Sequence, residues 1–111
     1  MVLKVLRSQR NDFPQYYKEC CLNDLDDIMD PTGPSFKDEV FKLKFLERDI
    51  LKNGMIHPII MCNQPKLRLG HQRVWIALKL GYTHISSYLV TNPEEFSMVN
   101  IHTFSEEYLT T

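Results

Sequence analysis

Leu69-Gly70-His71-Gln72-Arg73-Val74-Trp75-Ile76-Ala77-Leu78-Lys79-Leu80-Gly81 decides how this chain is read, because a short apolar strand here runs into a glycine, a polar triplet and an amphipathic helix. Gly70 has no Cβ, so the backbone can turn sharply there and an anion can approach the peptide N–H groups. His71, Gln72 and Arg73 then occupy the first turn of a helix, whose unpaired N–H groups and positive dipole end favour negative charge. Arg73 offers a planar fork suited to two oxygens of one phosphate, and His71 can donate a hydrogen bond or move a proton near neutral pH. Val74, Ala77 and Leu78 share one buried helical face, and Gly81 stands where a left-handed C-cap is expected. A strand–Gly–helix junction with a polar first turn is also an ordinary feature of α/β proteins, so the turn alone leaves a purely structural role open.

Upstream of the turn, Met55-Ile56-His57-Pro58-Ile59-Ile60-Met61-Cys62 is an apolar strand-like run with Pro58 near its start. Asn63-Gln64-Pro65-Lys66 signals a turn and Leu67-Arg68-Leu69 resumes an alternating strand, so a hairpin delivers the chain to Gly70. Before it, Ser35 opens a helix in which Val40, Leu43, Ile50 and Leu51 keep a helical period as far as Asn53-Gly54. Glu47, Arg48 and Asp49 in that helix suit a solvent face, with Glu47 or Asp49 as the alternative base or metal group contributed to a site. Downstream, Ile85 to Val90 reads as a strand with Ile85, Ser87 and Leu89 on one face and Ser86, Tyr88 and Val90 on the other. Asn92-Pro93-Glu94-Glu95 starts a last helix that packs Phe96, Val99 and Phe104 on the sheet.

The first third is less regular. Val2 to Leu6 is compatible with a short strand, Asn11-Asp12-Phe13-Pro14 with a turn, and Glu19 to Leu22 with a strand. Asp24, Asp26, Asp27 and Asp30 suit a solvated acidic loop or a divalent cation, although the glycine and terminal glutamate of a calcium loop are missing. Asp30-Pro31-Thr32-Gly33-Pro34 is a loop.

At 111 residues the chain suits a single domain, and 43% hydrophobic with 24% charged residues is ordinary globular composition. A net charge of -1 gives no global footprint of a nucleic-acid binder. Lys42, Lys44, Arg48 and Lys52, with Lys66 and Arg68, suit either a local DNA-facing patch or a solvated surface. Three cysteines, two of them adjacent, frame neither a disulfide scaffold nor a zinc site. With no apolar run of membrane-spanning length and no signal-peptide pattern, the expectation is a soluble protein of a reducing, cytoplasmic compartment. Tyr16, Tyr17, Trp75 and Tyr88 are either core residues or aromatic anchors for a protein partner.

Asn53-Gly54-Met55-Ile56-His57-Pro58-Ile59-Ile60, then Leu69-Gly70-His71-Gln72-Arg73-Val74-Trp75-Ile76-Ala77, then Leu80-Gly81-Tyr82-Thr83-His84-Ile85 together resemble the ParB/sulfiredoxin superfamily, and in particular the ParB-type N-terminal domain. That family shows a helix ending in Asn-Gly, Gly-x-x-x-Pro-Ile-Ile, a hairpin, a Gly-x-x-Arg turn, an alanine-rich helix and Leu-Gly before a strand. The order agrees here over roughly Val40 to Val90. The resemblance implies an α/β (α+β) fold, a mixed sheet flanked by helices, as one domain over residues 1–111 with its motif-bearing core at about 40–90. By position it makes Gly70, His71, Gln72 and Arg73 the phosphate turn, with Gly54, His57 and Pro58 in the family's first box.

The departures narrow the function. Sulfiredoxin carries a catalytic cysteine where this chain has His71, so sulfinic-acid reduction is not expected. Leu69 replaces the acidic residue that often precedes the glycine in ParB-type turns. A full partition protein continues into a helix-turn-helix region that has no counterpart before Thr111, so sequence-specific DNA reading by these residues is not expected. A compact version of the domain is the sort expected on a bacteriophage or mobile element.

Three functions follow as expectations. One is a nucleotide-binding domain for CTP or ATP with magnesium, which hydrolyses or transfers phosphate with His71 as acid/base, Arg73 as charge clamp and Glu47 as base or metal group. Another is a metal-dependent DNA nuclease or DNA-associated phage protein. The third is a non-catalytic module that keeps the fold and binds a protein partner or a second copy of itself.

Overall fold

Ile85, Ser86, Ser87 and Tyr88 are consecutive and all buried, which alternating side chains permit only in a strand covered on both faces. They form the centre of β5 (His84–Leu89), around which the rest is hung. The computed structural model describes residues 3–25, 34–62 and 66–100. Before β5 come β1 (Val5–Leu6), β2 (Tyr17–Cys21), α1 (Pro34–Lys42), α2 (Lys44–Asn53), β3 (Ile59–Met61), β4 (Leu67–Leu69) and α3 (His71–Lys79). After it, α4 covers 93–100. The fold is α+β, a mixed five-stranded sheet with helices on it.

The pairings fix an unusual arrangement. His84 and Ile85 pair with β1 in parallel and with β2 antiparallel at the same time, while Ser87 and Tyr88 pair with β2 and, in parallel, with β3. A strand has two edges, so β2 runs the length of one and β1 and β3 lie end to end along the other. The join falls at Ser86, whose Oγ accepts from the Ser8 N–H at 2.9 Å and lies 2.7 Å from the Tyr17 hydroxyl. Across the join, Ser8 bridges Met55 in parallel, and the N–H groups of Gln9 and Arg10 donate to the carbonyls of Met55 and Ile56 at 2.8 and 2.9 Å. β4 then pairs antiparallel with β3.

Each face of the sheet carries its own core. On one, α1, α2 and α3 bring Phe36, Val40, Ile50, Val74 and Ala77 onto Cys20, Ile59, Met61 and Ile85. On the other, Val99 and Phe96 of α4 and the aromatic segment Phe13, Tyr16 and Tyr17 close over Ile60, Tyr88 and Val90. The buried Tyr88 hydroxyl accepts from the Asp12 N–H at 2.8 Å, and its ring meets Phe13 edge-on. Tyr88 is thus a core residue, and Tyr16, Tyr17 and Trp75 pack half-buried against the cores.

Several expectations change. The helix expected over Ser35 to Asn53 begins at Pro34 and breaks at Leu43, where φ is -102°, ψ is 23° and the N–H reaches back to Val40 O in a tight turn. No proline or glycine marks the break. It lets two helices, rather than one rigid rod, lay their apolar faces on the same core. The run Met55 to Cys62 holds only a three-residue strand, Ile59–Met61, because the residues before Pro58 are held by the 8–10 segment instead of by β5. Asp26, Asp27, Asp30, the loop at 31–33, the turn at 63–65 and Phe104 lie outside the described residues. Among the described residues no helix is long and apolar enough to cross a membrane.

Candidate functional site

The hairpin register puts Leu69 opposite Ile60, so Gly70 passes directly over Ile59. Gly70 has φ 104°, and a Cβ built there would lie 2.5 Å from Ile59 Cγ2. Both facts demand glycine, one through backbone conformation and one through space. Gly70 is the N-cap of α3 and offers no side chain to bond the helix's first N–H groups. The Val74 N–H is the first to close the helical ladder, donating to Gly70 O at 3.1 Å. The N–H groups of His71, Gln72 and Arg73 therefore stand at the open end of the helix, as their position requires. His71 and Arg73 are half-buried and Gln72 is exposed.

The far end of α3 is closed in the expected way. Gly81 has φ 83°, and the N–H groups of Tyr82 and Gly81 return to Ala77 O and Leu78 O, a left-handed cap that satisfies the last carbonyls.

The Gly54 box reaches the turn through Ile59. Gly54 also has positive φ, 77°, with its N–H on Ile50 O, and the Gln9 amide donates to the carbonyl of the preceding Asn53. His57 and Pro58 are buried, His57 with only 2% of its surface exposed. His57 is therefore set into the root of the loop beside the equally buried Met55, while Gly54, Ile56 and Gly70 stand nearer solvent. The sequence reading passed over Ser8, Gln9 and Arg10, which bind this loop along its length. They carry no motif, and only the shared edge of β5 brings them in. Arg10 also pairs with Asp12 at 3.0 Å.

Glu47 does not join the turn. Its carboxylate pairs with Lys79 Nζ at 2.6 Å and is 15% exposed. Lys79 ends α3, about 12 Å along the axis from His71 at 1.5 Å per residue. Asp49, on the same helix, accepts from the Asn53 side chain at 2.8 Å. Neither a base at the turn nor a metal ligand follows from these partners. Among the described residues no group of three or more His, Cys, Asp or Glu side chains is placed to hold a metal ion. The turn brings together the first backbone N–H groups of α3 and the half-buried residues His71 and Arg73, groups of the kind that donate to an oxyanion.

No protein-family model and no curated protein matches the chain. Among solved structures it is similar to a Pnob8-like ParB-N domain, with a TM-score of 0.47 and 21% sequence identity, over 80% of this chain and 35% of that one. The chain thus spans about a third of that protein's length.

Proposed function

We propose that this chain is a nucleotide-binding domain of the ParB type, which seats the phosphates of a nucleotide such as CTP or ATP on the Gly70–Arg73 turn. The observation that carries the reading is Gly70 itself. It is held over Ile59 in a conformation and a space that admit only glycine, so the two sequence boxes meet at the point where α3 presents its first N–H groups.

In this reading each residue of the turn has a distinct task. Gly70 lets phosphate oxygens come close to the backbone, and the N–H groups of His71, Gln72 and Arg73 donate to them along the helix dipole. The Arg73 guanidinium takes two oxygens of one phosphate, and His71 donates from its ring or carries a proton. Magnesium would arrive on the nucleotide's own oxygens and neutralise the charge that Arg73 leaves. Any turnover would be phosphoryl transfer or hydrolysis, which depend on positioning and charge stabilisation.

Calorimetric titration with CTP, ATP and ADP, each with magnesium, tests it. Saturable binding of at least one is expected, and Arg73→Ala should weaken it about tenfold to a hundredfold, the worth of a charge-assisted hydrogen-bond pair. Unchanged affinity in that variant, or no binding to any of the three, overturns the assignment.

A further inference from the structure

A cavity of about 430 Å³ opens between α1 and α3, on the helical side of the sheet. Its apolar lining is Phe36, Val40 and Phe41 from α1 and Leu78 from α3, and Lys37, Lys44 and Lys79 complete it. Phe36 and Val40 are buried and form its depth, whereas Phe41 is 66% exposed and the lysines stand in solvent at its mouth. The size falls within the range of clefts that bury an organic group. Phe45, on α2 just beyond the break, is also exposed, at 83%.

The charges at the mouth are unequal. Lys79 is committed to Glu47. Lys44 lies over the Phe41 ring, 4.2 Å from its centroid, and among the described residues neither Lys37 nor Lys44 forms an ion pair. The groove therefore combines a greasy floor with two uncompensated cations, in a protein whose overall charge is -1.

We infer that the α1–α3 groove is a docking site for an acidic amphipathic helix of a partner protein, which inserts large apolar side chains between Phe36, Phe41 and Leu78 and sets carboxylates against Lys37 and Lys44. The complementarity is the one by which helices lie in apolar grooves, with anchors at helical spacing and charges at the rim fixing orientation. A nucleic-acid strand would waste the apolar floor, since its backbone rewards cations along the whole track.

The test is an amide-shift titration of the isotope-labelled full chain with a short synthetic peptide carrying Leu and Phe at helical spacing and Glu elsewhere. Controls are the same peptide with Lys for Glu, and a duplex DNA oligonucleotide. Saturable shifts confined to residues 36–44 and 78–79, given by the Glu peptide alone, are the expected result. Phe41→Ser and Lys37→Glu, each at an exposed position and each checked for retained helicity by circular dichroism, should weaken binding about tenfold, as loss of an interface anchor does. Arg73→Ala should leave it unchanged, which separates this groove from the nucleotide turn. An equal response to the Lys peptide, shifts elsewhere, or DNA moving the same resonances overturns the proposal. So does a concentration-dependent dimer that Phe41→Ser abolishes, since the groove would then belong to a second copy of the chain.

Discussion

Gly70 and Gly81 bound the same helix and both have positive φ, yet their surroundings differ completely. A Cβ at Gly81 meets nothing within 4 Å, whereas at Gly70 it drives into Ile59. Gly81→Ala should therefore cost only the left-handed backbone strain, about 1 to 2 kcal/mol. Gly70→Ala adds overpacking against a buried β-branched side chain and should cost about 2 to 4 kcal/mol, lowering the melting temperature by roughly 10 °C or more. Parallel thermal melts check the pair, and equal losses would mean that the contact with Ile59 is easily relieved. The need for glycine at the turn was legible in the sequence. Ile59 as the reason was not, because that contact depends on the register of a hairpin whose strands are too short to announce it. Glu47 shows the same limit from the other side. Its spacing suits a solvent face or a ligand, and only the packing of α2 on α3 supplies Lys79 as its partner.

Among the elements, α4 is the one whose start was most plainly written. Asn92 accepts the Glu94 N–H on Oδ1 at 2.8 Å, Pro93 follows, and the Phe96 N–H reaches Asn92 O, the arrangement that an Asn-Pro-Glu-Glu sequence favours. Asn92→Ala should cost about 1 kcal/mol of stability, measurable by urea unfolding, and an unchanged midpoint would mean that α4 is held by Phe96 and Val99 alone. The division of α1 from α2 was not legible, since Leu43 and Lys44 carry no breaking signal. The bend answers to the shape of the core beneath it. Ile76, fully buried on α3, escaped for a related reason. Periodicity finds one buried stripe, but α3 is packed on more than one side.

For the molecule as a whole, β1 and β2 flank β5, and a polar strap crosses it at Ser86. Arg7 Nε donates to Glu19 Oε2 at 2.7 Å, and the Tyr17 hydroxyl meets both Glu19 and Ser86. The hydrogen bond and charge of Arg7 hold the Glu19 carboxyl below the usual carboxylate range. A carboxyl whose pKa is depressed on folding stabilises the fold above its unfolded pKa, and that contribution disappears as pH falls through the folded value. The melting-temperature gap between the parent and Glu19→Gln should therefore be widest near neutrality and close as pH falls below the ordinary glutamate range. The gap should be small, because the pair is well solvated. A gap that widens in acid would reverse the assignment.

The sharing of β5 also dictates when the protein can take shape. The strand that pairs with β1, β2 and β3 comes after all of them in the chain, so until residues 84–89 have left the ribosome β1 and β2 lack their ladder and β3 has only its short hairpin with β4. Pairing so remote in sequence is closed late and slowly. A nascent chain halted at Tyr82 should show no cooperative melt and should be cut readily by protease, while release through Asn100 should confer protection in one step. Until then the apolar stretch at Ile59–Met61 is exposed to other nascent chains, and the brief interval before β5 emerges is when this protein is most exposed to aggregation and most in need of a chaperone.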